Sequence, residues 1–519
     1  MRFQVWAPRA GRVELQLGGA RLAMAAAAGG WWEADADARP GADYGYRLDG
    51  ADPLPDPRSR WQPRGVHGLS RLVDHDAFRW TDTGRRGLRL AGAVLYELHV
   101  GTFTPGGTFA AAIERLDHVV ALGANAVEIM PVAEFSGERG WGYDGVDLWA
   151  PHHAYGGPDG LKALVDACHA RGLAVVLDVV YNHLGPEGNY LERFGPYLTD
   201  RHHTPWGRAV NFDGPDSGPV RQFVIENALA WLRDYHLDGL RLDAVHAIVD
   251  SSRPHIVEEL SARVHELDPP GFVVAEKPKV DLALLAMGVD GQWADDLHHS
   301  LHVLLTGERR SYYAPYGSVA DLASALLGPG REGVSLDRLV GFAQNHDQIG
   351  NRAIGERLSQ LVDPGRLRLA AALVLCSPMV PMLFMGEEWG AGTPFLFFSD
   401  HRDPRVARAT TAGRIREFQA FGWRSRDVPD PQAVATFERS RLDWSEPERE
   451  PHRGLLDWHR RLLALRRSTP ELRAGGPLAV EASESPRRLV MSRGPVRVEC
   501  DFESGRVAVE KLGKPVDWE

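Results

Sequence analysis

Leu173-Ala-Val-Val-Leu-Asp-Val-Val180 is apolar at almost every position, where a half-exposed strand would alternate. A strand with such a sequence is covered on both faces, as the strands of parallel sheets are. Ala93-Val-Leu-Tyr-Glu-Leu-His-Val100 and Ala126-Val-Glu-Ile-Met130 read the same way, and helix-period segments near Phe109 to Leu122 and Gly160 to Arg171 separate the three runs. Strand, helix and strand in repetition mark βαβ units. Five more strand candidates follow, at Gly239 to Asp243, Gly271 to Glu276, Gly291 to Trp293, Leu339 to Ala343 and Val380 to Phe384. Eight such strands over roughly 300 residues predict an α/β fold, the TIM (β/α)8 barrel, with its active site at the C-terminal strand ends. A doubly wound sheet is the alternative, but it would not spread polar residues over so many strand ends.

Outside this region the rhythm changes. From Phe3 to Leu48, short alternating runs such as Arg12-Val-Glu-Leu-Gln-Leu17 and Asp43-Tyr-Gly-Tyr-Arg-Leu48, broken by Gly and Pro, predict a small N-terminal β-sandwich. The Pro- and Arg-rich stretch Asp52 to Gly68 reads as a packed connector. Val406 to Phe421 and Arg453 to Arg467 have helical period, and the second is expected to close the barrel; alternation from Pro477 to Val509 predicts a small C-terminal β unit. The expected division is residues 1–85 for sandwich and connector, 86–470 for the barrel with its closing helices, and 471–519 for the C-terminal β domain.

The bulk properties restrict function. The chain has 519 residues, 44% of them hydrophobic and 25% charged, without an 18-residue apolar run or a signal-like N-terminus, as expected of a soluble globular protein. Its net charge of −11 argues against nucleic acid or an anionic membrane as partner and allows a neutral substrate. Cys168, Cys376 and Cys500 are widely spaced without metal-ligand pairing, which fits free thiols in a reducing cytoplasm. Neither a phosphate-cradling Gly-rich loop nor a two-His metal helix is present, so neither cofactor nor metal is expected.

Four of the strand ends carry polar clusters: Asp178-Val-Val-Tyr-Asn-His183, Arg241 with Asp243, Ala275-Glu276 and Gln344-Asn-His-Asp-Gln348. Each alone is common as a cap or a solvated loop. A barrel would aim all four at one mouth, where Asp243, Glu276, Asp347 and two histidines converge. Glycosidic bond cleavage needs one ionised carboxylate and one protonated carboxyl about an oxocarbenium-like centre. Arg241 beside Asp243 suits an ionised nucleophile, whereas Glu276 has no strand-fixed cation and suits the acid. Asp347 would hold sugar hydroxyls and stabilise positive charge, with His183 and His346 donating to hydroxyls nearby.

In this order, Asp178-Val-Val-Tyr-Asn-His183, Gly239-Leu-Arg-Leu-Asp243, Val274-Ala-Glu276 and Asn345-His-Asp347 resemble the four sequence regions of the α-amylase superfamily of retaining glycoside hydrolases. The resemblance implies Asp243 as nucleophile, Glu276 as general acid/base and Asp347 as transition-state stabiliser, with Asn182, His183, Arg241 and His346 at the accompanying positions. Flanking words narrow it: Tyr96-Glu-Leu-His-Val-Gly-Thr-Phe-Thr104, Arg139-Gly-Trp-Gly-Tyr-Asp-Gly145, Gln344-Asn-His-Asp-Gln-Ile-Gly-Asn-Arg352 and Phe397-Phe-Ser-Asp-His401 look like the branch that cleaves the α-1,4 bond next to the terminal trehalose of maltooligosyltrehalose. That branch implies a β-sandwich, a barrel and a C-terminal β domain, α-1,4-glucan substrates ending in trehalose, and functional pairing with a maltooligosyltrehalose synthase. Glucan branching and debranching enzymes share the carboxylates and differ in subsites. A silent carbohydrate-binding scaffold would betray itself by a missing carboxylate, and all three are present.

Trp141, Tyr143, Tyr190, Trp206, Trp293, Asp296 and His299 are candidates for sugar subsites, since aromatic rings stack on the apolar faces of glucose. Two features depart from the superfamily pattern. Lys277-Pro-Lys279 follows Glu276, where a cation would depress the acid's pKa unless strand alternation turns Lys277 away. The Gly307 to Val340 segment and the C-terminal unit are short, which bears on the outer subsites. Glu387 and Glu388 read as structural.

Overall fold

The computed structural model of the chain describes residues 1–84, 87–419, 423–473, 478–512 and 514–516. At the N-terminus, β1 (Arg2–Trp6), β2 (Val13–Leu17), β3 (Ala20–Ala23), β4 (Ala25–Ala26), β5 (Trp31–Asp35), β6 (Asp43–Leu48) and β7 (Ser70–Arg71) form two antiparallel sheets, ordered β1-β5-β4 and β3-β2-β6-β7. Phe3, Val5, Val13 and Leu15 are buried at alternate positions, so each strand turns one apolar face inward.

The eight strands of the expected barrel form a closed parallel ring: β8 (Leu95–Leu98), β9 (Ala126–Ile129), β12 (Ala174–Val179), β15 (Gly239–Leu242), β16 (Phe272–Ala275), β17 (Gly291–Trp293), β18 (Leu339–Phe342) and β19 (Val380–Phe384). Two unexpected antiparallel hairpins interrupt the numbering, β10 (Ala133–Glu134) with β11 (Asp147–Pro151), and β13 (Leu198–Thr204) with β14 (Gly207–Val210). The first pairs a two-residue strand, too short to leave a period, and the second is largely polar.

Inside the ring, Leu95, Ala126, Val176, Val274, Trp293, Phe342 and Met382 pack into an apolar plug. Residues of the opposite parity, such as Tyr96, Val127, Leu177 and Leu240, face the surrounding helices. One pleat further along the inner face, the residue type changes to Glu97, Glu128, Asp178 and Arg241, all buried. Each buried Leu or Val of the plug contributes about 1.5–3 kcal/mol, and the plug excludes water from beneath these charges.

The helix expected at Phe109 to Leu122 is two, α1 (Phe109–Ile113) and α2 (Leu116–Leu122). Phe109, Ala112, Leu116 and Val119 keep one buried face across the break, so the period does not register it. The other helices that matter here are α3 (Gly157–His169), α4 (Ser217–Asp234), α5 (Ile256–His265), α6 (Asp295–Thr306), α7 (Pro364–Cys376), α8 (Pro404–Gln419) and α9 (His452–Ser468). The expected end of α8, Phe421, lies outside the described residues. Helix α9 packs against α7 and α2, where a closing helix was expected.

At the C-terminus β20 (Leu478–Glu484), β21 (Arg487–Arg493), β22 (Val496–Asp501), β23 (Arg506–Lys511) and β24 (Lys514–Pro515) form an antiparallel meander; Pro477 lies outside the described residues. Cys168, Cys376 and Cys500 are buried and unpaired. Among the described residues no helix is long and apolar enough to cross a membrane.

Candidate active site

Arg241 is the centre of the barrel mouth. Its guanidinium lies 4.1 Å over the Trp293 ring and is completely buried. Nη1 donates to Asp178 Oδ2 at 2.7 Å and to Asp243 Oδ1 at 2.8 Å, and Nη2 lies 3.8 Å from Glu276 Oε2. One cation thus answers carboxylates from three adjacent strand ends. Burial disfavours its charge, yet the neighbouring acids, Asp178 foremost, outweigh burial and hold the guanidinium above its ordinary range. Removing it would leave buried carboxylates uncompensated, at a cost of about 3–5 kcal/mol.

Asp243 is clamped as an acceptor on both oxygens. Asn182 Nδ2 donates to its Oδ2 at 2.7 Å and to its main-chain oxygen at 2.9 Å. The next residue, Ala244, has left-handed backbone angles (φ 40, ψ 51), which cost an L-residue about 1–2 kcal/mol. This turn directs the Ala244 N–H at Glu276 Oε2, 2.6 Å away.

Burial pushes the Glu276 carboxyl up, with Asp243 and Asp347 adding to the effect; Arg241 and the Ala244 N–H pull it down, and it comes to rest at about 7. Lys277 does not intervene. Its ammonium turns away to pair with Asp281, as strand alternation predicts.

Side-chain exposure rises from 11% at Asp243 and 13% at Glu276 to 38% at Asp347, which makes Asp347 the most solvent-exposed of the three carboxylates. Asp347 accepts from Asn351 Nδ2 at 3.2 Å and lies 3.6 Å from His346 Nε2. His346 is fixed from below by Glu97, which accepts its backbone N–H at 3.0 Å and its Nδ1–H at 2.5 Å. Burial opposes a charge on His346, but Asp347 and Glu97 overcome it and raise the imidazole to about 9. The imidazolium Nε2–H donates to the Tyr143 hydroxyl at 2.7 Å, and that hydroxyl donates to Asp178. Burial first, then the negative charge of Asp243, lifts Asp178 to about 6 against the pull of Arg241. A continuous chain of polar contacts therefore links Glu97, His346, Tyr143, Asp178, Arg241 and Asp243.

Comparison with known proteins agrees with this geometry. The alpha-amylase catalytic-domain family matches residues 74–203. The chain is 50% identical to malto-oligosyltrehalose trehalohydrolase of Arthrobacter ramosus over 546 aligned positions, covering 99% of this chain and 94% of that protein. It is 46% identical to the malto-oligosyltrehalose trehalohydrolase of Mycobacterium tuberculosis, over 100% of this chain and 95% of that protein. The chain belongs to the malto-oligosyltrehalose trehalohydrolase family. A Salmonella typhimurium crystal structure assigned as an alpha amylase superposes with a TM-score of 0.88 at 39% identity, covering 99% and 91% of the two chains.

The remaining candidates of this trehalohydrolase-family site separate into walls and open surfaces. Trp141 is buried, donates to Leu396 O at 2.9 Å and stacks on Phe395 with centroids 5.2 Å apart, so it is a wall behind His346. Gly350 makes room for it, and Gly142 lets the chain beside it approach Pro131. A Cβ at Gly350 would lie 2.1 Å from the Trp141 ring, and Gly142, at φ 99, would meet Pro131 O at 2.0 Å. Trp293 is covered by Arg241. His183 stacks on Trp206 at 4.9 Å, and burial lowers its pKa; the half-exposed Trp206 leaves indole surface open to solvent. Tyr190 instead bonds His67 of the connector at 2.7 Å.

Asp296 accepts from Tyr316 and lines a cavity of about 430 Å³, and His299 packs on Tyr312 and Tyr316. Tyr312 also feels the charge of Asp347, so the His299 contact borders the three carboxylates. Asp295, absent from the expected site, is drawn to them directly: burial, then Glu276 and Asp347, push its carboxyl well up. Glu97, Glu128 and Asp178 add three buried acids that lie beyond the residues expected to carry the chemistry. The available signal was one acid inside each otherwise apolar strand. Glu128 is raised well above the carboxylate range by burial and then by Glu97, and neither of its oxygens has a hydrogen-bond partner among the described residues.

Proposed function

We propose that this chain hydrolyses the α-1,4 bond next to the terminal trehalose unit of maltooligosyltrehalose with retention of configuration. Glu276 protonates the glycosidic oxygen while Asp243 attacks the anomeric carbon. The C–O bond breaks, trehalose departs with the proton, and a maltooligosyl ester remains on Asp243. Glu276, now ionised, takes a proton from water, which attacks the same carbon and releases the maltooligosaccharide; Asp243 is regenerated as a carboxylate and Glu276 as the acid. Asp347 accepts hydroxyls of the sugar at the cleavage point and opposes the developing positive charge, beside the imidazolium of His346. Asn182, His183 and Arg241 orient the nucleophile and its surroundings.

The observation that carries this reading is the division of labour around Arg241. One carboxylate is clamped on both oxygens by Arg241 and Asn182, while Glu276, reached by the same guanidinium at 3.8 Å, is held at about 7. The names of the relatives support the substrate. A substrate ending in trehalose must be supplied by an enzyme that converts a reducing-end α-1,4 link into α-1,1, so pairing with a maltooligosyltrehalose synthase follows. The three buried unpaired thiols suit the cytoplasm.

The test is proton NMR of a reaction with maltooligosyltrehalose: free trehalose and an initially α-configured maltooligosaccharide are expected. A β-configured first product, or no trehalose, would overturn the reading. New branch points formed from amylose would instead favour the branching alternative.

A further inference from the structure

The loop that carries Trp141 and Tyr143 leaves the barrel after Glu134 at the end of β10 and returns through Asp147 at the start of β11. Its neck holds a group of ligating atoms that the catalytic chemistry does not use. Glu134 Oε1 lies 2.7 Å from His153 Nδ1 and 3.2 Å from His152 Nδ1, and Glu134 Oε2 accepts the His153 N–H at 2.8 Å. One ligand atom from each of the three residues falls within 4.8 Å of the others. Glu134 and His152 are completely buried, and His153 is about one quarter exposed.

His152 is the feature that ordinary packing leaves unexplained. Its ring is held by Phe135, stacked at 3.8 Å, and by the Tyr155 edge at 4.9 Å. Its Nδ1 meets the Glu134 carboxylate at 3.2 Å, and its Nε2 has no hydrogen-bond partner among the described residues. Across the hairpin, Asp147 pairs in register with Glu134, and its Oδ2 is also buried without a partner. Two carboxyls and an imidazole with one unpartnered nitrogen in one buried place form a cation's surroundings, since a buried polar atom without a partner costs about 1–3 kcal/mol.

We infer that Glu134, His152 and His153 bind one divalent cation of the zinc class, which pins the neck of the loop bearing Trp141 and Tyr143. Two imidazoles and a carboxylate are a zinc-type donor set, with metal-to-ligand distances of about 2.0–2.2 Å and a fourth position left for water. Ligand atoms around such an ion stand roughly 3.3 Å apart in a tetrahedron, so the 3.2 Å separation already fits, the 2.7 Å one would open by about 0.6 Å, and the two imidazole nitrogens stand within 4.8 Å of each other. The sequence did not reveal the site because hairpin pairing, not sequence spacing, brings Glu134 to the two histidines. The ion would hold both ends of the 135–146 loop and thereby seat the Tyr143 hydroxyl between His346 and Asp178.

The experiment is a titration of chelator-treated, full-length protein with Co²⁺ and then Zn²⁺. One Co²⁺ per chain with the visible absorption of a four-coordinate ion is expected, displaced by Zn²⁺, with a rise in Tm of about 2 °C at a hundredfold excess over Kd. E134Q and H153N should each weaken Zn²⁺ binding by more than about 100-fold. If the wild-type protein gives no four-coordinate spectrum and no calorimetric binding at sub-millimolar Zn²⁺, the inference falls and a Glu134–His153 ion pair is all the cluster contains. Binding retained in both variants would assign the ion elsewhere and overturn it equally. Should a variant fail to fold, the wild-type titration alone decides.

Discussion

Among the described residues, two buried arginines of this barrel stand beside acids in contrasting ways. At the mouth, Arg241 binds Asp178 and Asp243 and approaches Glu276. Beyond β19, Arg357 lies near Glu387 and Glu388 but donates to main-chain oxygens, Thr393 O at 2.6 Å and Met385 O at 2.9 Å. Glu388 is sealed in and accepts from the Tyr96 hydroxyl at 2.9 Å and from His118 Nε2 at 2.7 Å. The electrostatic outcomes are opposite for the cations: acids raise Arg241, whereas burial lowers Arg357 to about 10. For the acids they are alike, since burial lifts Glu387 to about 8 and Glu276 to about 7. An elevated carboxyl pKa therefore does not identify a catalytic acid by itself. The distinction is that Glu276 can be reached and faces a second, clamped carboxylate.

The largest contrast between the two groups should appear on replacing one acid of each by its amide. D243N and E276Q should each lower kcat/KM for trehalose release by about 10³-fold or more. E388Q should keep kcat within about threefold while lowering Tm, because Glu388 accepts two side-chain hydrogen bonds that each contribute about 0.5–1.5 kcal/mol. Comparable losses of activity in E388Q and E276Q would erase the distinction. A smaller effect is expected from Y143F, which keeps the ring against His346 but deletes the hydroxyl between His346 and Asp178. Loss of one such bond corresponds to about a tenfold fall in kcat with an intact fold.

What the sequence discloses of these two groups differs for physical reasons. All eight staves were legible because strands covered on both faces leave apolar runs, and four strand ends carried visible polar clusters. Glu97 was illegible because its partner His346 is 249 residues away, and one acid in Tyr96-Glu-Leu-His99 looks incidental until the ring closes. Trp141 and Trp293 were recognisable as aromatics, but whether a ring faces sugar or core depends on packing that neither residue's neighbours in sequence encode. Asp295 and Asp296 show the same limit. Adjacent residues of a helix point about 100° apart, so one meets the carboxylates and the other meets Tyr316.

pH separates the groups again. If Glu276 is the proposed acid, it acts only while protonated, so kcat/KM should fall as pH rises through about 7, approaching tenfold per unit above it. E276Q should abolish that limb. Glu387 should affect stability instead. Its folded value, about 8, lies above the ordinary 4.5, so the folded state retains a proton that the unfolded chain loses. Stability present below 4.5 is accordingly lost as pH rises through about 8. Urea midpoints at pH 5 and pH 9 should therefore converge in E387Q, with kcat unaffected.

The smallest expected effect tests the boundary of the mouth group. Lys277 adjoins Glu276 in sequence, and if proximity along the chain governed the acid, K277A would move the alkaline limb of kcat/KM upward. The Lys277 ammonium is paired with Asp281 and its side chain is one-third exposed, so solvent and Asp281 screen it from the barrel axis. K277A should leave the limb within about 0.3 of a pH unit and alter kcat by less than about twofold. The informative control is D281N, which removes the carboxylate that holds Lys277 outward. If that variant lowers the limb while K277A leaves it unchanged, the turn of one side chain at a strand end is what keeps Glu276 protonated near neutrality.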